Sequence, residues 1–111
     1  MPVSISALSR SASVSAKQSP SMADELYDAM DTARARGQLK DLSAKEISQL
    51  GPNARKAFQQ DKKDFDSAGV ATFSYNGQQW TVVSGAADDA FNDYDFFSSA
   101  DKFVGHYQED L

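Results

Sequence analysis

Apolar residues in this chain recur at helical spacing after residue 21, alternate near the middle, and return to helical spacing at the end. The first stripe precedes Gly37 and predicts a helix over 22–36. Ser21 followed by Asp24 supplies a helix N-cap with an acid three positions on. The stripe consists of Leu26, Ala29, Met30 and Ala33.

Two further helices are predicted before residue 69. Ser43 and Glu46 form a capping box ahead of a short helix that ends at Gly51. Pro52 then suits the first turn of a third helix, because its missing N–H is not needed there. This helix has an apolar side and a charged side. The apolar residues are Ala54, Phe58 and Phe65, and the charged ones are Arg55, Lys56, Lys62 and Lys63.

The alternating region contains a strong β-hairpin signal. Asn76-Gly77 separates two alternating runs, as a two-residue hairpin turn requires. The turn pairs Tyr75 with Gln78 and predicts a hairpin over about 70–83. Its aromatic face should pack against helices, since an isolated hairpin is barely stable. That face comprises Phe73, Tyr75, Trp80 and Val82.

The C-terminal residues predict two more helices. One stripe contains Ala87, Ala90, Phe91 and Tyr94, and a later one contains Ala100, Phe103, Val104 and Tyr107. Ser98 with Asp101 would cap the last helix. The predicted fold class is therefore α+β, with about four or five short helices packed on one antiparallel β-hairpin.

Charge divides the chain into two parts. Residues 1–22 contain eight serines, Arg10 and Lys17 but no acid, whereas all sixteen carboxylates lie in residues 23–111. Local hydrogen bonding by serine and a shortage of apolar area predict a disordered leader over 1–22 and a single small domain over 23–111. The net charge of −5 argues against nucleic acid as a partner. No apolar run approaches the length that membrane insertion needs.

The leader lacks the continuous apolar stretch of a secretory signal peptide. Its composition, with Val3 near the start and no acid before Asp24, resembles the export signal of type III secretion substrates of Gram-negative, plant-associated bacteria. The resemblance covers about a fifth of the chain and rests on composition. A transit peptide and a plain disordered tail remain alternatives. The residues carrying the resemblance are Val3, Ser4, Ser6, Ser9, Ser11, Ser13 and Ser15.

An acidic and aromatic segment is the candidate partner-binding surface. On the predicted helix Asp88, Asn92 and Asp95 share one face. This face is either a solvated acidic face without a further role or a surface that docks a basic patch of another protein. Phe96 and Phe97 are adjacent and cannot both occupy one helical face, which points to a contact surface. The candidate residues are Asp88, Asp89, Asp93, Asp95, Phe96 and Phe97.

Catalytic and metal chemistry have little support in the sequence. The chain has no cysteine, and its one histidine, His106, has no motif that places a nucleophile beside it. Asp64 and Asp66 before Gly69 match part of a calcium loop, but the twelfth position is Tyr75 in place of glutamate. We expect no metal and no cofactor. An enzyme that uses carboxylates or His106 is a third hypothesis.

The resemblance implies a type III secreted effector or exported accessory protein that acts by noncatalytic protein binding. It would be secreted and translocated into a host cell, with a host or bacterial protein as partner and a secretion chaperone during export. The alternative is a regulatory or chaperone-like protein-binding module in the bacterial cytoplasm, whose leader is merely disordered.

Overall fold

The computed structural model describes residues 21–87 and 90–110 of the chain. The helices and strands in this part follow one another in the order α1 (Met22–Ala35), β1 (Lys40–Asp41), α2 (Ala44–Ser48), α3 (Pro52–Asp64), β2 (Ser67–Tyr75), β3 (Gln78–Ala87), β4 (Phe91–Ser98) and β5 (Phe103–Asp110). The strands form one antiparallel sheet in sequence order, β1-β2-β3-β4-β5.

The hairpin at the centre of the sheet confirms the prediction from Asn76-Gly77. Both turn residues have positive φ, 57° and 76°, as a tight hairpin turn of this kind needs. Tyr75 pairs with Gln78, and the two strands extend beyond the predicted limits, to Ser67 and Ala87. The hairpin therefore forms as predicted but belongs to a larger sheet.

The predicted fold, with four to five helices on a single hairpin, is wrong. The described residues contain three helices and a five-stranded sheet, and both C-terminal segments predicted as helices are the strands β4 and β5. In β4 the side chains of Tyr94 and Phe96 lie on one face, and those of Asp95 and Phe97 lie on the other. Because both faces bury aromatic rings, the apolar positions lose strict alternation and imitate helical spacing.

A helical layer covers each face of the sheet. Helix α1 packs on one face, where Leu26 and Met30 meet Phe73, Val82 and Phe96. Helices α2 and α3 pack on the other face, in a second cluster containing Ile47, Ala54, Val70, Val83 and Phe97. We call these the α1 face and the α3 face. Phe96 is fully buried and Phe97 is 4 % exposed, so the adjacent rings anchor opposite layers.

Local sequence signals determine where the helices begin. The Ser21 side chain accepts a hydrogen bond from the Asp24 N–H, which confirms the predicted start of α1. Helix α1 begins at Met22, one residue inside the range predicted as leader. Ser43 and Glu46 form the complete capping box of α2, and Pro52 opens α3 as expected.

Asp101 does not cap a C-terminal helix as predicted, because it lies in the turn between β4 and β5 and caps α3 instead. Its carboxylate accepts hydrogen bonds from the backbone N–H groups of Asn53 at 2.7 Å and Ala54 at 2.9 Å. Gly51 permits this approach, since a Cβ there would lie 2.3 Å from the Asp101 Cγ. A carboxylate at a helix N-terminus satisfies free donors and complements the helix dipole. The turn therefore fixes α3 on the sheet.

Replacing Asp101 with glycine tests this cap. Asp101 has φ +62°, a conformation that glycine adopts freely, so Asp101→Gly removes the carboxylate without straining the backbone. We expect the free energy of unfolding, measured with urea, to fall by about 1–2 kcal/mol. Asn76→Gly is the matched control at another left-handed position, and it should change stability by less than about 0.5 kcal/mol. Equal effects of the two substitutions would contradict the capping role.

Candidate functional site

Carboxylates from α3 and β4 meet on the α3 face of the sheet. Asp93 and Asp95 project from β4 onto this face, and Asp95 is paired in register with His106 of β5. The His106 Nε2 lies 3.0 Å from the Asp93 Oδ1. Asp61 approaches from α3, which packs over the neighbouring strands β2 and β3. We call Asp61, Asp93, Asp95 and His106 the acid cluster.

Asp61 is the buried member of the acid cluster. Its residue surface is 7 % exposed, and its Oδ2 atom has no hydrogen-bond partner in the described part of the chain. The position follows from helical spacing, because Asp61 comes seven residues after Ala54 and three after Phe58 on the apolar side of α3. A buried carboxylate without a donor is unusual in a folded domain.

Burial and neighbouring charge disfavour ionisation of Asp61 and Asp95. Burial raises the pKa of Asp61 to about 6, and the charges of Asp95, Asp93 and Asp64 add to the shift, while His106 acts against it. Burial also raises the pKa of Asp95. Several carboxylates close together repel one another when ionised. A cation placed near Asp61 and Asp95 would favour their charged forms.

The exposed members of the acid cluster determine what can reach it. The side chain of His106 is 48 % exposed and that of Asp93 is 21 % exposed, and Asp95 is half-buried like Asp93. A guanidinium or ammonium group pairs with accessible carboxylate oxygens through charge-assisted hydrogen bonds. No group of three or more metal-ligating side chains is arranged to hold a metal ion within 21–87 and 90–110.

The structure brings together only part of the predicted partner-binding surface. Asp93 and Asp95 lie in the acid cluster, on a strand in place of the predicted helix. Phe96 and Phe97 are core residues and offer no exposed contact. Asp88 and Asp89 lie outside the described residues, and so do all the proposed export-signal positions in the leader.

A second polar network lies on the α1 face. Glu109 accepts hydrogen bonds from Tyr27 Oη, from Tyr94 Oη at 3.0 Å and from Asn92 Nδ2 at 3.0 Å. These bonds, that of Tyr27 first, lower the pKa of Glu109. Tyr27 also stacks on Tyr107 with ring centroids 4.0 Å apart. Both carboxylate oxygens of Glu109 accept hydrogen bonds, so this network joins α1 to the sheet.

A groove of about 410 Å³ adjoins this network. Small residues of β2 and β3, including Gly69, Ser84 and Ala86, form its floor, and Met30 and Arg34 of α1 line one side. Its volume lies within the range of small-molecule sites. Arg34 lies 3.8 Å from Asp31. The groove shows no unsatisfied group comparable to Asp61, so the acid cluster is the stronger candidate.

Comparison with known proteins finds no matching protein-family model, no matching curated protein and no matching solved structure. In the described ranges, none of the helices has the length and apolar character needed to cross a membrane.

Asp61→Asn tests the cost of the buried charge. The pKa of Asp61 rises on folding from 3.8 to about 6, so the folded state binds the proton more tightly than the unfolded state. The contribution of Asp61 to stability should therefore be greatest below about pH 4 and fall as pH rises to about 6, by up to about 3 kcal/mol. Asp61→Asn cannot ionise, so we expect it to be more stable than the parent at pH 8 and nearly equal at pH 4.

Urea unfolding at each pH unit between 4 and 8 measures this difference. The control is Asp28→Asn, an exposed aspartate of α1 on the opposite side of the sheet. The free energy of unfolding of this control should change with pH in the same way as that of the parent protein. An Asp61→Asn curve that is also parallel to the parent curve would contradict the assignment of the buried charge.

Proposed function

We propose that this domain binds another protein without catalysis, by accepting a basic side chain of that partner at the acid cluster. The observation that carries the proposal is the buried, unpartnered Asp61 Oδ2, on the same face of the sheet as Asp93 and Asp95, whose charges disfavour its ionisation. The contact is made by Asp93 and Asp95, and Asp61 adds to the negative potential. Arginine suits the site best, because its planar guanidinium can bridge two carboxylates.

The arrangement of the acid cluster gives less support to catalysis. Asp61 has the raised pKa of a general acid, but its carboxylate is covered by protein atoms and cannot contact a substrate in this conformation. His106 contacts Asp93, and no serine or threonine hydroxyl is hydrogen-bonded to it among the described residues. The groove on the α1 face is separated from the acid cluster by the sheet.

We propose further that residues 1–22 direct export by a type III secretion system, so that the domain acts as an effector or exported accessory protein. The support is the acid-free, serine-rich composition of the leader. The chain also lacks disulfides that would oppose unfolding for passage through a narrow conduit. The cytoplasmic regulatory or chaperone-like module is the alternative, and it would use the same binding surface.

Titration with a defined basic peptide tests the binding proposal. The probe is a short flexible peptide of alternating glycine and arginine, and the control peptide carries uncharged citrulline in place of arginine. We expect arginine-dependent NMR shifts in the amides of Asp93, Asp95 and His106. The double variant Asp93→Asn, Asp95→Asn should weaken binding about tenfold, since two charge pairs are lost. Asp28→Asn should weaken it by less than about twofold, because long-range attraction is screened.

A different pattern of shifts would overturn the binding proposal. Shifts centred on α1, or equal weakening by Asp28→Asn, would mean that the peptide responds only to the net charge of the protein. Identical shifts with the citrulline peptide would show that charge is not recognised. The amide spectrum of each variant in the absence of peptide establishes that the sheet remains folded.

A reporter fusion tests the export proposal. Residues 1–22 fused to a reporter enzyme should be exported by bacteria with a working type III system and retained by a strain lacking it. Placing acids early in the leader, with Ser4→Asp and Ser6→Asp, should abolish export if the absence of acids is part of the signal. Equal export from both strains, or none from either, would favour the cytoplasmic alternative.

A further inference from the structure

The acid cluster is open on the side of β5. Helix α3 packs over β2 and β3, and the side chains of His106, Gln108 and Asp110 at the edge of the same face are exposed. Within the described ranges, neither a lysine nor an arginine forms an ion pair with a member of the acid cluster, and His106 contacts Asp93. This surface is therefore exposed and negatively charged, and a positively charged segment could bind to it.

The point at which the leader joins the domain lies beside this surface. Helix α1 begins on β5, where a Cβ at Gly105 would lie 2.9 Å from the Ala23 Cβ. Gly105 is followed directly by His106, whose side chain lies on the opposite face of the edge strand. The residues that precede Ser21 are therefore attached to the domain at the edge strand β5, which borders the acid cluster.

The leader has the length and the charge to reach the acid cluster. Lys17 and Arg10 precede Ser21 by four and eleven residues, so extended chain could span about 14 and 38 Å respectively. The leader contains these two cations and no carboxylate. Tethering also gives such a segment a local concentration on the order of millimolar, enough to occupy a weak site for much of the time.

From these observations we propose that the leader docks on the acid cluster of its own domain through Arg10 and Lys17, and so competes with the basic partner. The inference builds on the proposed function because both ligands use Asp93 and Asp95. Anything that draws the leader away, such as the export machinery or a secretion chaperone, would free the acid cluster. One segment would then serve as export signal and as a self-inhibitor of binding.

Paramagnetic relaxation in the full chain tests the docking. Because the chain has no cysteine, Ser9→Cys provides a single attachment point for a nitroxide label. At low salt we expect the amides of Asp95, His106 and Gln108 to lose about twofold more intensity than those of Tyr27 and Met30 on the α1 face. About 0.5 M salt should remove this difference by screening the charges. The reduced, diamagnetic label provides the reference intensities.

The matched variant is Arg10→Ser with Lys17→Ser in the same labelled chain. It keeps the length and serine-rich character of the leader but removes its charge, so the preference for the α3 face should disappear. The unlabelled variant should also bind the arginine peptide about twofold or more tightly than the parent, because the competing segment is lost. Equal broadening on both faces, or a preference that survives loss of both cations, would overturn the docking proposal.

The peptide titration separates failure of this inference from failure of the proposed function. If the leader shows no preference for the α3 face but the arginine peptide still shifts Asp93 and Asp95, only the docking proposal is wrong. If the Arg10→Ser, Lys17→Ser variant, with its acid cluster free, also fails to bind the arginine peptide, the proposed function is wrong as well.

Discussion

The packing of β4 between two helical layers is the interaction on which this structure depends. Phe96 meets Phe73 edge to face on the α1 face, with ring centroids 6.2 Å apart, and Phe97 packs in the second cluster on the α3 face. Because successive side chains of a strand point to opposite faces, these adjacent rings bind both layers to one strand. The same alternation places Asp93 and Asp95 beside Phe97 on the α3 face, where α3 brings Asp61. The register of β4 in the sheet therefore fixes the positions of both the core aromatic residues and the carboxylates of β4.

Asp61 occupies a position that packing alone would give to an apolar residue. It shares the apolar side of α3 with Ala54, and its buried oxygen has no donor in the described chain. An isolated carboxylate in such a place lowers stability, because burial penalises its charged form. Residues that cost stability often lie at functional sites, where an interaction with a partner offsets the cost. The position of Asp61 within an acidic group supports a binding role.

Sequence patterns predicted the local features of the fold correctly. They gave wrong predictions where contacts between distant parts of the chain determine the secondary structure. Asn76-Gly77 specified the hairpin, and Ser43 with Glu46 specified a helix start, because each signal acts over a few residues. The strand β4 imitates a helix in sequence because both of its faces bury aromatic rings. The edge strand β5 does so because the register shift beside Phe97 places the adjacent apolar residues Phe103 and Val104 at its start. The spacing of Asp61 from Phe58 indicates, from sequence alone, that Asp61 lies on the apolar side of α3. Its position near Asp95 depends on the order of the strands, which no local pattern predicts. The hydrogen bond from Tyr27 to Glu109 joins residues 82 positions apart, beyond any local pattern.

The charge of Asp61 also connects the two proposals made for this protein. A chain that passes through a narrow secretion conduit must unfold, and a small domain is only marginally stable in any case. Above about pH 6 the ionised Asp61 weakens the folded state further, whereas a bound basic group would offset that loss. If both proposals hold, low stability before export and partner-dependent stability afterwards would both follow from the same buried carboxylate. A leucine at this position would strengthen the core, but it would give the domain neither a pH-dependent loss of stability nor a gain in stability on binding a basic group.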